Sequence, residues 1–101
     1  MTEYDYRTLD DVIHSRVRLA IMSYLMTARE ADFSALKKEL KLTDGNLSTH
    51  LRKLEDHAYV SVTKGFAGRK PQTTVAITET GDTAFKTYVE GVAAMLGPQA
   101  T

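Results

Sequence analysis

The sequence predicts an α+β fold, mostly helical, in which a three-helix core carries a two-stranded hairpin and a further helix lies at each end. Three observations predict it. Apolar residues recur at three- and four-residue steps through the first half and again near the C-terminus. Between Tyr59 and Thr78 the period changes to two. The two middle helical segments are joined by only a few residues. At 101 residues, 43% of them hydrophobic, the chain is one domain that can build a single core without disulfides or metals.

Residues 1–7 carry no pattern and read as a flexible arm. Thr8 to His14 reads as a short helix with Leu9, Val12 and Ile13 on one side. Ser15 caps a stronger helix from Arg16 to Ala28. Its stripe is Val17, Ala20, Ile21, Tyr24, Leu25 and Ala28, broadened by Leu19, Met22 and Met26. Ala31 to Phe33 amounts to a stub of strand. Ser34 then caps a short helix from Ala35 to Leu40. Thr43 or Asp44 caps a third, which runs to His57 and turns Leu47, Leu51 and Leu54 inward.

Val60 and Val62 alternate with Ser61 and Thr63, and Thr73, Val75 and Ile77 alternate on the return. Between them Lys64 to Pro71 supplies the breakers of a hairpin loop with a basic tip. Thr78 or Thr80 opens a last helix, through Leu96, with Ala84, Phe85, Tyr88, Val89, Val92 and Leu96 as its stripe. Gly97 and Pro98 stop it, leaving residues 97–101 as a tail. Two closely joined helices followed directly by a hairpin make a winged helix-turn-helix over residues 8–96.

The formal net charge is zero, yet the charge is unevenly spread. Residues 34–74 hold eight basic and four acidic side chains, whereas both flanks are net acidic. Such asymmetry is a footprint for a polyanion, with scatter in a small domain as the plainer alternative.

The ordered set of segments resembles a known family. Thr43 to Glu55 (TDGNLSTHLRKLE) is similar to the recognition-helix segment of winged-helix transcriptional regulators of the MarR and ArsR kind. Ala58 to Lys64 resembles the turn into their first wing strand, and Arg69 to Thr73 a wing tip. Ile77 to Gly81, with Ala84, Phe85 and Tyr88, resembles the start of their C-terminal helix, and Ile13 to Ile21 their first core helix. The resemblance covers Leu9 to Leu96 and is nearest to small stand-alone regulators. It implies a DNA-binding fold. Two departures stand out. The family usually has Gly where this chain has Ala58, at a left-handed helix end. The metal-sensing branch uses Cys and His ligands, whereas this chain has no Cys and its three His lie on separate segments. No cofactor or metal is therefore expected.

With the third helix's leucines inward, Asn46, Thr49, His50 and Lys53 turn outward, and Gly45 and Ser48 lie near its N-terminal end. Only that outer face and first turn reach base edges in a major groove. Thr43, at the helix start, joins the set. Asn suits adenine, Ser and Thr serve either strand, and Lys reaches guanine or phosphate. His50 either contacts DNA or packs at the helix edge; His14 and His57 read as structural or solvated. Asp44 is awkward beside a phosphate but natural as a cap. Arg69 and Lys70, at a loop tip with no packing reason to be cationic, suit a minor groove or the backbone. Lys64, Arg52, Lys37 and Lys38 could meet phosphates.

Both ends of the chain are expected to form a homodimer, through Leu9, Val12 and Ile13 of residues 8–14 and Phe85, Tyr88, Val89, Val92 and Leu96 of residues 79–96. The alternative is that the last helix only closes the monomer core. A dimer would set two recognition helices about 34 Å apart on double-stranded DNA. An effector cleft lined by Tyr24, Tyr88 and Met22 is a further option, against their plainer reading as core.

Other classes fit less well. Ser48 and His50 lie two apart on one helix and do not face each other, and no helix follows the Gly65 to Gly68 loop, so no enzyme is expected. A winged-helix protein-interaction module without DNA binding is the alternative, favoured by a pI of about 6.8. No apolar run approaches a membrane span and the N-terminal residues are polar and acidic, so the expected location is the cytoplasm.

Overall fold

The computed structural model describes residues 5–97. Helix α1 (Arg16–Ala28) starts where the Ser15 hydroxyl accepts from the Arg18 amide. Its buried residues are Ile21, Met22 and Leu25; Ala28, expected on the stripe, is exposed. Strand β1 (Glu30–Asp32) follows at once. Asp32, rather than Ser34, caps α2 (Phe33–Leu40) by accepting from the Ala35 amide. Helix α3 (Asp44–Asp56) starts at Thr43, whose hydroxyl accepts from the Asn46 amide at 3.1 Å.

Strands β2 (Val60–Ala67) and β3 (Lys70–Ile77) pair in unbroken antiparallel register from Val60 opposite Ile77 to Ala67 opposite Lys70. The hairpin loop is therefore much shorter than the run of breakers suggests: only Gly68 and Arg69 lie between the strands, with Gly68 at φ 67°. Pro71 fits inside β3 because β1 pairs only Thr74 to Ala76, leaving β3's other edge open at Pro71. The sheet has three strands in the order β1-β3-β2 rather than two. A three-residue strand carries no period of its own, and its partner lies more than forty residues downstream.

Helix α4 (Glu79–Leu96) is capped by Thr78, whose hydroxyl accepts from the Gly81 amide at 2.9 Å and donates to the Ala58 carbonyl at 2.6 Å. Gly81 is required here: a Cβ on it would lie 2.1 Å from the Tyr59 carbonyl oxygen. Arg29, at the end of α1, pairs with Asp82 at 2.6 Å and holds the first turn of α4 to the core.

The short helix read over residues 8–14 does not form. A 3-10 turn at Tyr6–Thr8 is followed by a turn over residues 11–13. The Asp10 carboxylate accepts from the amides of Val12 and Ile13, offering the backbone an alternative to a helix. Of the arm at 1–7, residues 1–4 lie outside the described residues, as do 98–101 of the tail.

The core joins Val12, Ile13, Ile21, Met22, Leu25, Leu36, Leu47, Leu51, Leu54, Val60, Val75 and Tyr88. Helices α2 and α3 both end on left-handed residues that are not glycine, Lys41 (φ 56°) and Ala58 (φ 61°). The next amides, Leu42 and Tyr59, reach back to the Lys37 and Leu54 carbonyls.

Candidate nucleic-acid interface

Leu47, Leu51 and Leu54 are buried, which orients α3 as the spacing requires. Asn46, Ser48, Thr49, Arg52 and Lys53 are exposed on its outer side. Thr43 is exposed but its hydroxyl is engaged as the cap. Asp44 is not the cap; its carboxylate pairs with Lys37 at 2.8 Å, which places a cation beside the acid at the helix start. Gly45 has open space around it, so nothing inside the protein demands glycine there.

His50 is half-buried and is held from α1. Arg18 Nη1 lies 3.0 Å from its Nδ1, while Arg18 Nε donates to the Val12 carbonyl. Burial first, then the positive charges of Arg18 and Lys53, hold His50 below the usual imidazole range. His14 and His57 are exposed and each is hydrogen-bonded within the chain: the His14 Nδ1 lies 2.8 Å from the Tyr88 hydroxyl, and the His57 Nδ1 lies 3.0 Å from the Lys53 carbonyl.

The hairpin forms the wing. Lys64 meets Ser48 and Arg52 around a cleft of about 320 Å³ between α3 and the wing root, which Glu55 also lines. Arg69 and Lys70 are exposed at the tip, about 10 Å further along the ladder. Neither has an ion-pair partner among the described residues. The structure thus groups the candidates into an α3 face, a wing root and a separate wing tip.

Sequence reasoning missed two residues. Phe66 is 72% exposed near the tip, opposite Pro71. It shares the strand parity of Val60, Val62 and Lys64, a signal hidden by reading this stretch as loop. Arg18, a lone charge within the apolar run of α1, was the only hint of its tie to His50. Tyr59 links the end of α3 to the N-terminal segment by donating to Asp10; burial and that hydrogen bond push its hydroxyl up to about 12.

The expected dimer residues divide. Val12 and Ile13 belong to the core of a single chain and present no interface, whereas Tyr88, also in the core, still lines a groove along α4. Leu9, Phe85 and Val92 are half-buried. Val89 and Leu96 are 48% and 58% exposed. These two, with Leu19, Tyr88, Val92 and Ala93, line an apolar groove of about 330 Å³ along α4. Met22 and Tyr88 are buried and Tyr24 packs against the core, so they form core rather than the effector cleft considered from the sequence.

Comparison with known proteins agrees with this geometry. Residues 17–96 match the family model described as a winged helix DNA-binding domain. A solved structure of a transcriptional regulator homologue from Pyrococcus horikoshii is 35% identical, with all of both chains covered and a TM-score of 0.89. An uncharacterised protein of Methanocaldococcus jannaschii is 38% identical over 78 residues, 77% of this chain and 85% of that protein. The overoxidised form of AbfR bound to DNA shares the fold at 16% identity and a TM-score of 0.72, over 85% of this chain and 65% of that one. By sequence and by architecture, this chain belongs to the family of winged-helix DNA-binding domains.

Proposed function

We propose that the protein is a sequence-specific transcriptional regulator of the MarR and ArsR kind, acting in the cytoplasm as a homodimer on double-stranded DNA and by binding rather than catalysis. The observation that carries this reading is the wing. An eight-residue ladder carries the exposed Arg69 and Lys70 to its tip, on the same molecule as an α3 whose outer face is exposed and polar. The relative from Pyrococcus horikoshii, described as a transcriptional regulator homologue, supports it. In this reading α3 enters the major groove with Gly45, Asn46, Ser48, Thr49, His50 and Lys53. Thr43 orients its first turn. Arg52 and Lys64 take phosphates from the wing root, and Arg69 and Lys70 take the minor groove or backbone. The bare surface at Gly45 admits a close approach of the DNA backbone. Phe66 and Pro71 add an apolar edge to the wing.

Dimerisation rests on the apolar groove along α4, which Tyr88, Val89, Val92 and Leu96 line; Phe85 stands one turn before Val89 on the same helix, and Leu9 packs against α4 beside Gly91. Exposed apolar side chains in one strip on a terminal helix suit a second copy of the same strip.

The test is duplex binding by fluorescence anisotropy at about 50 and 200 mM salt, with wild type beside Arg69→Ala/Lys70→Ala. A dimer holding six or more phosphates loses roughly a thousandfold in affinity over that range. The double variant is expected to bind more weakly and with a shallower salt slope. Failure of the wild type to bind any member of a random-sequence duplex library, even at low salt, would overturn the reading.

A further inference from the structure

Arg18 sits on α1 and is not among the residues expected to meet DNA. Its guanidinium nevertheless makes two contacts that matter at α3. Nε donates to the Val12 carbonyl, which fixes the side chain, and Nη1 reaches His50 Nδ1 at 3.0 Å. A guanidinium only donates, so Nδ1 must accept. An imidazole whose Nδ1 accepts is neutral and carries its proton on Nε2. No described residue takes a hydrogen bond from Nε2. Among the described residues no side-chain nitrogen or oxygen of a half-buried residue is both enclosed and unpartnered, so Nε2 has access to solvent. His50 lies four residues after Asn46 and three before Lys53, in the outward stripe of α3.

We propose that Arg18 sets the hydrogen-bonding polarity of His50: by occupying Nδ1, it makes His50 an Nε2–H donor for an acceptor on a base edge in the major groove. This deepens the DNA-binding reading and rests on it. The acceptors of the right kind are N7 and O6 of guanine, N7 of adenine and O4 of thymine; cytosine offers only its amino donor there. An unlocked imidazole could turn its lone pair outward and accept that amino group instead. Arg18 is thus a positioning residue for specificity. It acts from the layer behind the recognition helix, through one hydrogen bond. The titratable groups around His50, Arg18 from α1 and Lys53 from α3, are both cationic and oppose its charging.

The first readout needs no DNA. Nitrogen-15 NMR of the wild type above the His50 pKa is expected to show one tautomer, with Nδ1 unprotonated. In Arg18→Met a mixture of tautomers is expected and the His50 pKa rises. The second readout is base preference over a randomised duplex library for wild type, Arg18→Met, His50→Ala and the double variant. Both single variants should relax preference at the same base pair by about two- to tenfold, the worth of one hydrogen bond. The double should lose no more than either alone. His50→Gln, which can accept from Arg18 and donate outward, should keep more of the preference than His50→Ala. Arg18→Lys, which retains a donor, should keep more of the preference than Arg18→Met, and Arg18→Leu serves if Arg18→Met does not fold. Additive losses, or unchanged preference in His50→Ala, would overturn the proposal while leaving DNA binding intact. A wild type that binds no duplex would instead remove the reading on which it rests.

Discussion

The wing tip and the outer face of α3 are both exposed and polar, but they are prepared differently. At the tip, Arg69 and Lys70 have no ion-pair partner among the described residues and extend from a two-residue turn. On α3, Thr43 is engaged as a cap, Asp44 is paired with Lys37, and His50 is tied to Arg18. The difference matches two physical tasks. Contact with phosphates needs charge and tolerates many side-chain poses, so free cations serve. Reading a base edge needs a fixed donor or acceptor, so side chains held in advance serve better.

Helix α3 and the hairpin that carries the tip are joined through Ala58 and Tyr59, and the largest effect is expected there. Gly81→Ala drives a Cβ into the Tyr59 carbonyl and should lower stability by about 3 kcal/mol, read by urea melts. A wild-type midpoint in that variant would mean that α4 can shift without disturbing the wing root. Next comes Ala58→Gly. The structure keeps the left-handed geometry at φ 61°, so removing the Cβ should add about 1 kcal/mol and raise Tm by several degrees. An unchanged or lower Tm would show that α3 ends in some other way in solution.

Smaller again is Phe66→Ser. Because the ring is exposed, stability should stay within about 0.5 kcal/mol of wild type while duplex affinity falls. Equal affinity would limit the wing's role to its cations.

The smallest effect concerns pH. The folded chain disfavours charged His50, so it binds fewer protons than the unfolded chain below about pH 6.5. Stability should therefore hold above that value and decline as pH falls through it. His50→Gln should flatten the decline in a series of urea melts, and a variant profile that overlays wild type would point to a different group.

Most of the fold was legible because its signals are local. The leucine spacing oriented α3, and Ser15 and Thr43 announced two helix starts; the left-handed end of α3 came from the family resemblance, because Ala58 itself gives no such signal. What escaped depends on distant partners. Strand β1 was legible as a stub at Ala31 to Phe33, but its pairing with β3, which makes the third strand of the sheet, was not. The tie from Arg18 to His50 spans α1 and α3. The fate of Val12 and Ile13 was misjudged because an Asp10 turn, rather than a helix, folds them into the core. For the site, residue identity pointed to α3 and the wing tip. The loop reading of Lys64 to Pro71 hid Phe66, since glycine and proline there sit within a paired ladder.

The close approach of Gly81 to Tyr59 has a mechanical consequence. Helix α4 has 18 residues and is about 27 Å long, so it works as a lever rooted beside the wing. A tilt of about 10° at that root would sweep its far end by roughly 5 Å, more than one base-pair step of about 3.4 Å. With backbone against backbone at the root, such a tilt has little room. In a dimer joined along α4, that stiffness would make the protein a caliper of nearly fixed opening, intolerant of an inserted or deleted base pair between half-sites.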